Sequence, residues 1–170
     1  MGTPEETFFL DWCARNAAGS FKAWNGGVHR GGIPGESWHS FPIVPDQEFM
    51  RSDDGTDNVI AYGTPKTNAL LARWAESLPL RFGNDEIRLA DRVYRGQGVA
   101  VIAVLPYPEN AERYLAVHGG VTPDAITKGA HLHMQLLPDY LVYDGERVLE
   151  WGYFDNEWNP QPTSCAQATD

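Results

Sequence analysis

The sequence predicts an α/β fold: a three-layer sandwich in which helices cover a mostly parallel central sheet on both sides, as in flavodoxin-like and Rossmann-like proteins. Two observations lead to this prediction. Residues 58–78 combine a short apolar strand with an amphipathic helix, and this strand-helix unit is what parallel sheets are built from. The run Val99–Leu105 is apolar on both faces, as is typical of a central strand that is covered on each side.

The first forty residues are expected to form a helix and a glycine-rich segment that pack on this domain. A helix is predicted over Thr3–Ala17, because its start, Thr-Pro-Glu-Glu, places a capping hydroxyl, a first-turn proline and a capping-box glutamate in order. Its apolar side chains recur at helical spacing and form one face: Phe8, Phe9, Trp12 and Cys13. Gly19–Gly35 contains six glycines, which indicates a loop or short hairpin.

The α/β domain is assigned to residues 41–158, and residues 159–170 are expected to form a flexible tail. Residues 41–57 are interpreted as an extended piece and an exposed turn. The strand at Asn58–Tyr62 leads into a helix over Pro65–Leu78. The remaining predicted elements are a hairpin around Ala90-Asp91, strands at Gly98–Pro106 and Arg113–His118, a helix over Thr122–Gln135, and a hairpin of Tyr140–Tyr143 with Arg147–Phe154.

The charge balance and hydropathy exclude two classes of partner. The 23 acidic and 13 basic residues give a formal net charge of -10, which repels the phosphate backbone on which nucleic-acid affinity depends. The longest apolar run, Val99–Leu105, is far shorter than the roughly 18–20 residues that cross a bilayer. Met1–Glu6 lack the basic start of a secretory signal. We therefore expect one soluble, acidic domain that is cytoplasmic, or else processed or truncated upstream of Met1.

Two cysteines, Cys13 and Cys165, exclude a disulfide framework and a multi-cysteine zinc site. Whether the two pair stays open, because a bridge needs Cα atoms within about 7 Å.

A series of short motifs resembles a known family. They are Asn58–Asn68, Leu78-Pro79-Leu80, Ala103–Asn110, Arg113-Tyr114, Leu137–Asp144 and Gly152–Asp155. In this order they are similar to the C-terminal accessory domain attached to some bacterial prolyl-oligopeptidase-like esterases. The resemblance spans about residues 41–158, while Thr3–Gly35 and Ala116–Gly120 depart from it.

In that family the serine-hydrolase chemistry lies in a separate upstream α/β-hydrolase domain. The resemblance therefore implies that this chain is a non-catalytic accessory or assembly module whose partner is a hydrolase catalytic domain. It also implies a secreted or periplasmic location.

The turn after the first strand is the strongest candidate binding site. A strand that turns directly into a helix presents free backbone N–H groups and the positive end of the helix dipole. Thr64 is placed as the N-cap, and Lys66, Thr67 and Asn68 add donors, so a phosphate or carboxylate is the expected ligand. The alternative is that Thr64-Pro65 is simply a good helix start. The turn lacks the P-loop spacing, and no cofactor is predicted.

A small hydrolase or metal-dependent enzyme is the second hypothesis, built on the histidines. Val117-His-Gly-Gly120 is similar to the oxyanion element of lipases, but no G-x-S-x-G motif accompanies it. A triad of Ser37, His118 and Asp139 is one candidate site. His131 and His133, with His118 and Asp139, form a candidate zinc site. The alternative is that these histidines are structural and that Gly119-Gly120 permits a turn with positive φ.

Loop tryptophans carry the third hypothesis, a carbohydrate- or protein-binding module. Trp24 and Trp38 lie in the glycine-rich segment and its continuation, and exposed aromatic side chains offer a large flat contact area with little entropy to lose. The alternative is that they cover an edge of the sheet.

Overall fold

The computed structural model describes residues 43–128 and 138–163. Its strands are β1 (Val59–Tyr62), β2 (Leu80–Phe82), β3 (Glu86–Leu89), β4 (Arg92–Arg95), β5 (Val99–Tyr107), β6 (Asn110–Gly120), β7 (Tyr140–Asp144), β8 (Arg147–Phe154) and β9 (Pro160–Pro162). Its helices are α1 (Asp46–Ser52), α2 (Ala69–Trp74) and α3 (Pro123–Lys128). One sheet has the order β1-β6-β5-β7-β8-β9, and a smaller sheet has the order β2-β3-β4.

The predicted flavodoxin-like or Rossmann-like sandwich is wrong, because the large sheet is mixed and mainly antiparallel. Among the described strands only β1 and β6 run parallel, with Val59 opposite Leu115; the other neighbours are antiparallel. Parallel neighbours need a crossover of about a dozen residues or more, whereas short turns join β5 to β6 and β7 to β8. The strand that follows α2 enters the small sheet instead of returning beside β1.

Several elements confirm the sequence prediction. The first strand, the small β3-β4 hairpin, the β5-β6 pair and the β7-β8 pair all form where the alternation of apolar residues places them. The strand that contains Val99–Leu105 lies between β6 and β7, in the interior of the large sheet. Its apolar character on both faces therefore reflects a central position, which antiparallel sheets also offer.

Other elements differ from the prediction. Residues 46–52 form α1 instead of an extended piece, with Pro45 at its start and acidic residues in its first turn, where they complement the helix dipole. The helix expected over Pro65–Leu78 is reduced to Ala69–Trp74. Residues 160–162 pair with β8, so this part of the expected tail is a strand. Helix α3 covers the first part of the helix predicted over Thr122–Gln135, and the rest, like residues 1–42, lies outside the described residues.

One face of the large sheet carries the main core, and we call it the covered face. Its side chains pack against α2 and the small sheet, in a cluster that includes Leu71, Trp74, Ile87, Val101 and Leu115. All five are buried. This face therefore supplies most of the apolar burial that stabilises the domain.

The opposite face of the large sheet is covered only at one end among the described residues. There α3 packs Ala125 against Ala100, Leu141 and Tyr143. Across β1, β6 and β5, side chains of alternate residues continue this face beyond α3. We call that surface the open face; it includes Ile60, Val104, Tyr114 and Ala116, and at its border Ile102 packs against the cluster under α3. Ile60 is 48% exposed and Tyr114 is 50% exposed.

A buried ion pair fastens the segment after α1 to the far end of the sheet. The guanidinium of Arg113 holds both carboxylate oxygens of Asp53, at 2.9 and 3.1 Å, and donates to the carbonyl of Asp57 at 2.6 Å. It also lies 4.2 Å above the ring of Tyr107. Burial alone would raise the pKa of Asp53, but hydrogen bonds and the positive charge of Arg113 outweigh it and lower the pKa.

Candidate functional site

The turn after β1 is held by its own residues. Gly63 has φ of 112°, a conformation that favours glycine, and its N–H donates to the carbonyl of His118 at 3.0 Å. The N–H of Thr64 donates to the Thr67 hydroxyl at 3.0 Å. The N–H of Thr67 returns a bond to the Thr64 carbonyl at 2.9 Å. Hydrogen bonds between Thr64 and Thr67 therefore stabilise the turn.

The helix begins later than the sequence predicts, and its N-terminus is already filled. Asn68, not Thr64, is the N-cap: its side chain accepts from the N–H of Leu71 at 3.1 Å and donates to the carbonyl of Tyr62 at 3.1 Å. The N–H of Ala69 donates to the carboxylate of Asp46. This carboxylate from α1 occupies the N-terminus of α2, and binding of an anion at the neighbouring turn stays a prediction.

A cleft nevertheless lies beside the same turn. It has a volume of about 140 Å³ and is bounded by three segments of chain. The first is Gly63–Thr67, the second is the β2-β3 turn at residues 82–84, and the third runs from Gly120 into α3. Thr64, Lys66 and Thr67 line it, as the sequence analysis grouped them, whereas Asn68 is not among its lining residues.

Lysine and asparagine side chains from two of these segments meet at the cleft. The Nζ of Lys66 donates to the Oδ1 of Asn84 at 2.7 Å. Within residues 43–128 and 138–163, Lys66 makes no ion pair. Lys66 is an exposed residue that lines the cleft, and its described partner is a neutral amide in a chain whose net charge is -10.

The glycines at the end of β6 allow the layers around the cleft to approach closely. A Cβ on Gly119 would lie 2.5 Å from the ring of Phe82 and 2.7 Å from the carbonyl oxygen of Gly63. A Cβ on Gly120 would lie 2.9 Å from Ile126. Both glycines are in the extended strand and do not have a positive φ. Glycine is therefore required at positions 119 and 120 because no room exists for a side chain, and not because the chain turns there.

The backbone of His118 bonds to the turn at Gly63, and its imidazole is held by a hydrogen bond of its own. The hydroxyl of Tyr143 donates to the carbonyl of Ile126 at 3.2 Å. The same hydroxyl lies 2.7 Å from Nε2 of His118, so a hydrogen bond joins the imidazole to Tyr143. Burial lowers the pKa of His118 to about 4, which keeps the ring neutral at physiological pH.

The described members of the predicted triad, His118 and Asp139, each bond to a different partner. His118 bonds to Tyr143, while the carboxylate of Asp139 accepts from the backbone N–H of Phe154 at 2.9 Å. Ser37 lies outside the described residues. So do His131 and His133, and the proposed metal site can be followed only to His118 and Asp139. In the part of the chain that the structure describes, no cluster of three or more His, Cys, Asp or Glu is placed to hold a metal ion.

The tryptophan hypothesis is not resolved by the described residues. Trp24 and Trp38 lie outside them. Trp74 belongs to the buried core, and Trp158 packs on Phe154 with ring centroids 5.8 Å apart. Of the described tryptophans, Trp74 therefore has a structural role.

Sequence reasoning missed the two other walls of the cleft. Phe82, Asn84, Val121 and Ile126 come from segments far from Gly63 in the chain. The one local signal was Gly83-Asn84-Asp85, a turn sequence. Its position opposite the first turn follows only from the packing of the small sheet on Gly119.

The described helices are all too short to cross a lipid bilayer. No family model, no curated protein sequence and no solved structure matches this chain.

Proposed function

We propose that this chain is a non-catalytic accessory module of a hydrolase system, and that its cleft binds a small ligand with an anionic group. The first half rests on the resemblance of residues 41–158 to accessory domains of prolyl-oligopeptidase-like esterases. The second half rests on one observation, the position of Lys66 at the cleft without an ionic partner among the described residues.

The environment of Lys66 favours an anion. An ammonium group has three donors, and one of them is used by Asn84. Among the described residues the other two donors have no hydrogen-bond partner, which leaves them for an oxygen ligand from the cleft, and hydrogen bonds that involve a charged group are the stronger kind. Since acidic residues outnumber basic ones in the chain by 23 to 13, a lysine without a carboxylate partner is a selective position for a bound carboxylate or phosphate.

The size and lining of the cleft limit the ligand further. A volume of about 140 Å³ equals a few water molecules, at roughly 30 Å³ each. Phe82, Val121 and Ile126 add apolar wall beside the polar threonines. We infer that the ligand is a short carboxylate with a small apolar part, or the carboxylate end of a longer chain. Ester hydrolysis releases groups of this class, which is consistent with an accessory role beside an esterase.

Titration of the full chain with single probes tests the anion site. Acetate, inorganic phosphate and glucose are added separately, and binding is followed by calorimetry and by chemical shifts of the backbone amides of Gly63, Thr64, Lys66 and Thr67. We expect acetate to bind. Lys66→Gln should weaken acetate binding at least about tenfold, because a hydrogen bond to a charged group contributes about 1.5–3 kcal/mol.

The matched control is Lys128→Gln, which removes the same charge from a lysine that pairs with Asp124. It should leave acetate binding unchanged. Equal loss in both variants would mean a long-range charge effect and would refute the site. Phosphate binding in place of acetate would reassign the ligand. Glucose binding that is lost on Trp24→Ala or Trp38→Ala would favour the carbohydrate hypothesis.

The accessory role has a separate test. The purified chain is assayed against p-nitrophenyl esters and peptide substrates, and its metal content is measured. We expect no turnover. Ester or peptide cleavage that is abolished by Ser37→Ala, or a stoichiometric metal lost on His131→Ala, would replace this proposal with the enzyme hypothesis.

A further inference from the structure

The side chain of Asn84 has a defined orientation at the cleft because of its bond to Lys66. An ammonium group carries only donors, whereas an amide has one acceptor oxygen and one donor nitrogen. The bond of 2.7 Å from Nζ of Lys66 therefore requires that Asn84 turns its Oδ1 toward the lysine. The Nδ2 group belongs to the same planar amide, and among the described residues it has no hydrogen-bond partner. Two neighbouring side chains thus offer donors at the cleft.

The charges around these donors favour a ligand with a single negative charge. Among the described residues that line the cleft there is no aspartate or glutamate, although the chain has 23 of them. The acidic side chains that follow two of the walls are paired elsewhere, because Glu86 binds two arginines and Asp124 binds Lys128. The described lining therefore carries one positive charge, that of Lys66, and no negative charge.

The apolar part of the lining favours an aliphatic ligand. Phe82, Val121 and Ile126 line the cleft together with the two donors. Such side chains stabilise each CH₂ group that leaves water, whereas they offer no donor to the several oxygens of inorganic phosphate. The combination of one cation, one neutral amide and an apolar wall suits a short aliphatic acid.

We propose that Asn84 is the specificity-determining residue of the cleft, and that the cleft takes a short aliphatic monocarboxylate. The Oδ1 of Asn84 positions the ammonium group of Lys66, and its Nδ2 donates to the second oxygen of the carboxylate that Lys66 binds. This inference rests on the anion site proposed above and adds the residue that selects the ligand. A carboxylate in place of this amide would pair with Lys66 itself, and the ligand would meet a like charge where it now meets a donor.

Isosteric exchanges at two adjacent positions test this role. Asn84→Asp adds one negative charge at the cleft, and Asp85→Asn removes one from the exposed neighbouring residue. The double variant therefore keeps the net charge of -10 and only moves the carboxylate to Lys66. Asn84 does not have a positive φ, so these side chains do not strain the turn.

Acetate and butyrate are titrated into the full chain and followed by calorimetry. We expect butyrate to bind about tenfold more tightly than acetate, since its additional CH₂ groups leave water. Asn84→Asp and the double variant should both weaken butyrate binding at least about tenfold. Asn84→Ala, which changes no charge, should weaken it about threefold. Asp85→Asn alone should change it less than about threefold, because exposed charges are screened.

Butyrate binding that Asn84→Asp leaves intact while Lys66→Gln abolishes it would overturn the role of Asn84 and keep the anion site. Recovery of binding in the double variant would also overturn it, because only the net charge would then matter. If Asn84→Asp lowers the melting temperature, Asn84→Ala decides in its place, and binding equal to that of the parent chain overturns the proposal.

Two further outcomes concern the ligand. Tighter binding of inorganic phosphate than of butyrate would overturn the assignment to a monocarboxylate. A parent chain that binds neither acetate nor butyrate would refute the anion site and this inference together.

Discussion

Replacement of His118 by glutamine should remove a large part of the acid sensitivity of this fold. The imidazole is neutral in the folded state because burial lowers its pKa from 6.5 to about 4. In the unfolded chain it binds a proton near pH 6.5. The contribution of this neutral imidazole to folding stability is therefore fully present above about pH 6.5. It decreases as the pH falls from about 6.5 to about 4, and below about pH 4 it causes no further loss.

The magnitude follows from the two pKa values. Each pKa unit corresponds to about 1.36 kcal/mol, so the change from 6.5 to about 4 gives an upper limit of about 3 kcal/mol. That is a substantial share of the roughly 5–15 kcal/mol that stabilises a typical domain. Glutamine keeps an N–H that reaches the Tyr143 hydroxyl but does not titrate, so the dependence should largely disappear.

The assay is urea denaturation of the parent chain and of His118→Gln at several pH values between about 7 and 4.5. Asp53 does not interfere, because its pKa lies below the ordinary 3.8 and its contribution is lost only in stronger acid. If the parent and the variant lose equal stability over this range, the buried imidazole is not the source and the reasoning fails.

Two further changes test how the sheet is fastened and packed. Asp53→Asn should lower the free energy of unfolding by about 3–5 kcal/mol, because it leaves the buried guanidinium of Arg113 uncompensated. In the same urea titration the control Glu109→Gln, at an exposed ion pair, should change this free energy by no more than about 1 kcal/mol. Similar losses in the two variants would contradict a stabilising role of the buried pair. Gly119→Ala should cost about 1–3 kcal/mol through overpacking and shift the melting temperature down, because the new methyl group meets the ring of Phe82; an unchanged melting temperature would show that this contact relaxes freely.

The local elements were largely predictable and the architecture was not. Alternation and turn residues located β1, the hairpins and the interior position of Val99–Leu105. The direction of neighbouring strands depends on which strands pair across long stretches of chain, and this is not encoded in any local pattern. The β1-α2 unit suggested that the next strand would run parallel to β1 in the same sheet, whereas β2 belongs to the small sheet.

The site was predictable in part for the same reason. Thr64, Lys66 and Thr67 lie together because they are adjacent in the chain. Asp46, which fills the helix N-terminus in place of a ligand, comes from a helix that the sequence analysis read as extended. Asn84 reaches Lys66 only through packing of the small sheet.

The parallel pairing of β1 with β6 also determines when the cleft exists. Hairpins such as β5-β6 join strands that are adjacent in the chain. The pair of Val59 with Leu115 joins residues that are far apart in the chain, and contacts of that kind are expected to form more slowly. Among the described strands β1 is an edge strand of the large sheet, so its amide hydrogens should exchange with solvent before those of β5. Gly63–Thr67 continues directly from β1. When this strand detaches, the wall that carries Lys66 detaches with it, and a bound ligand would slow amide exchange in β1 without touching the strand.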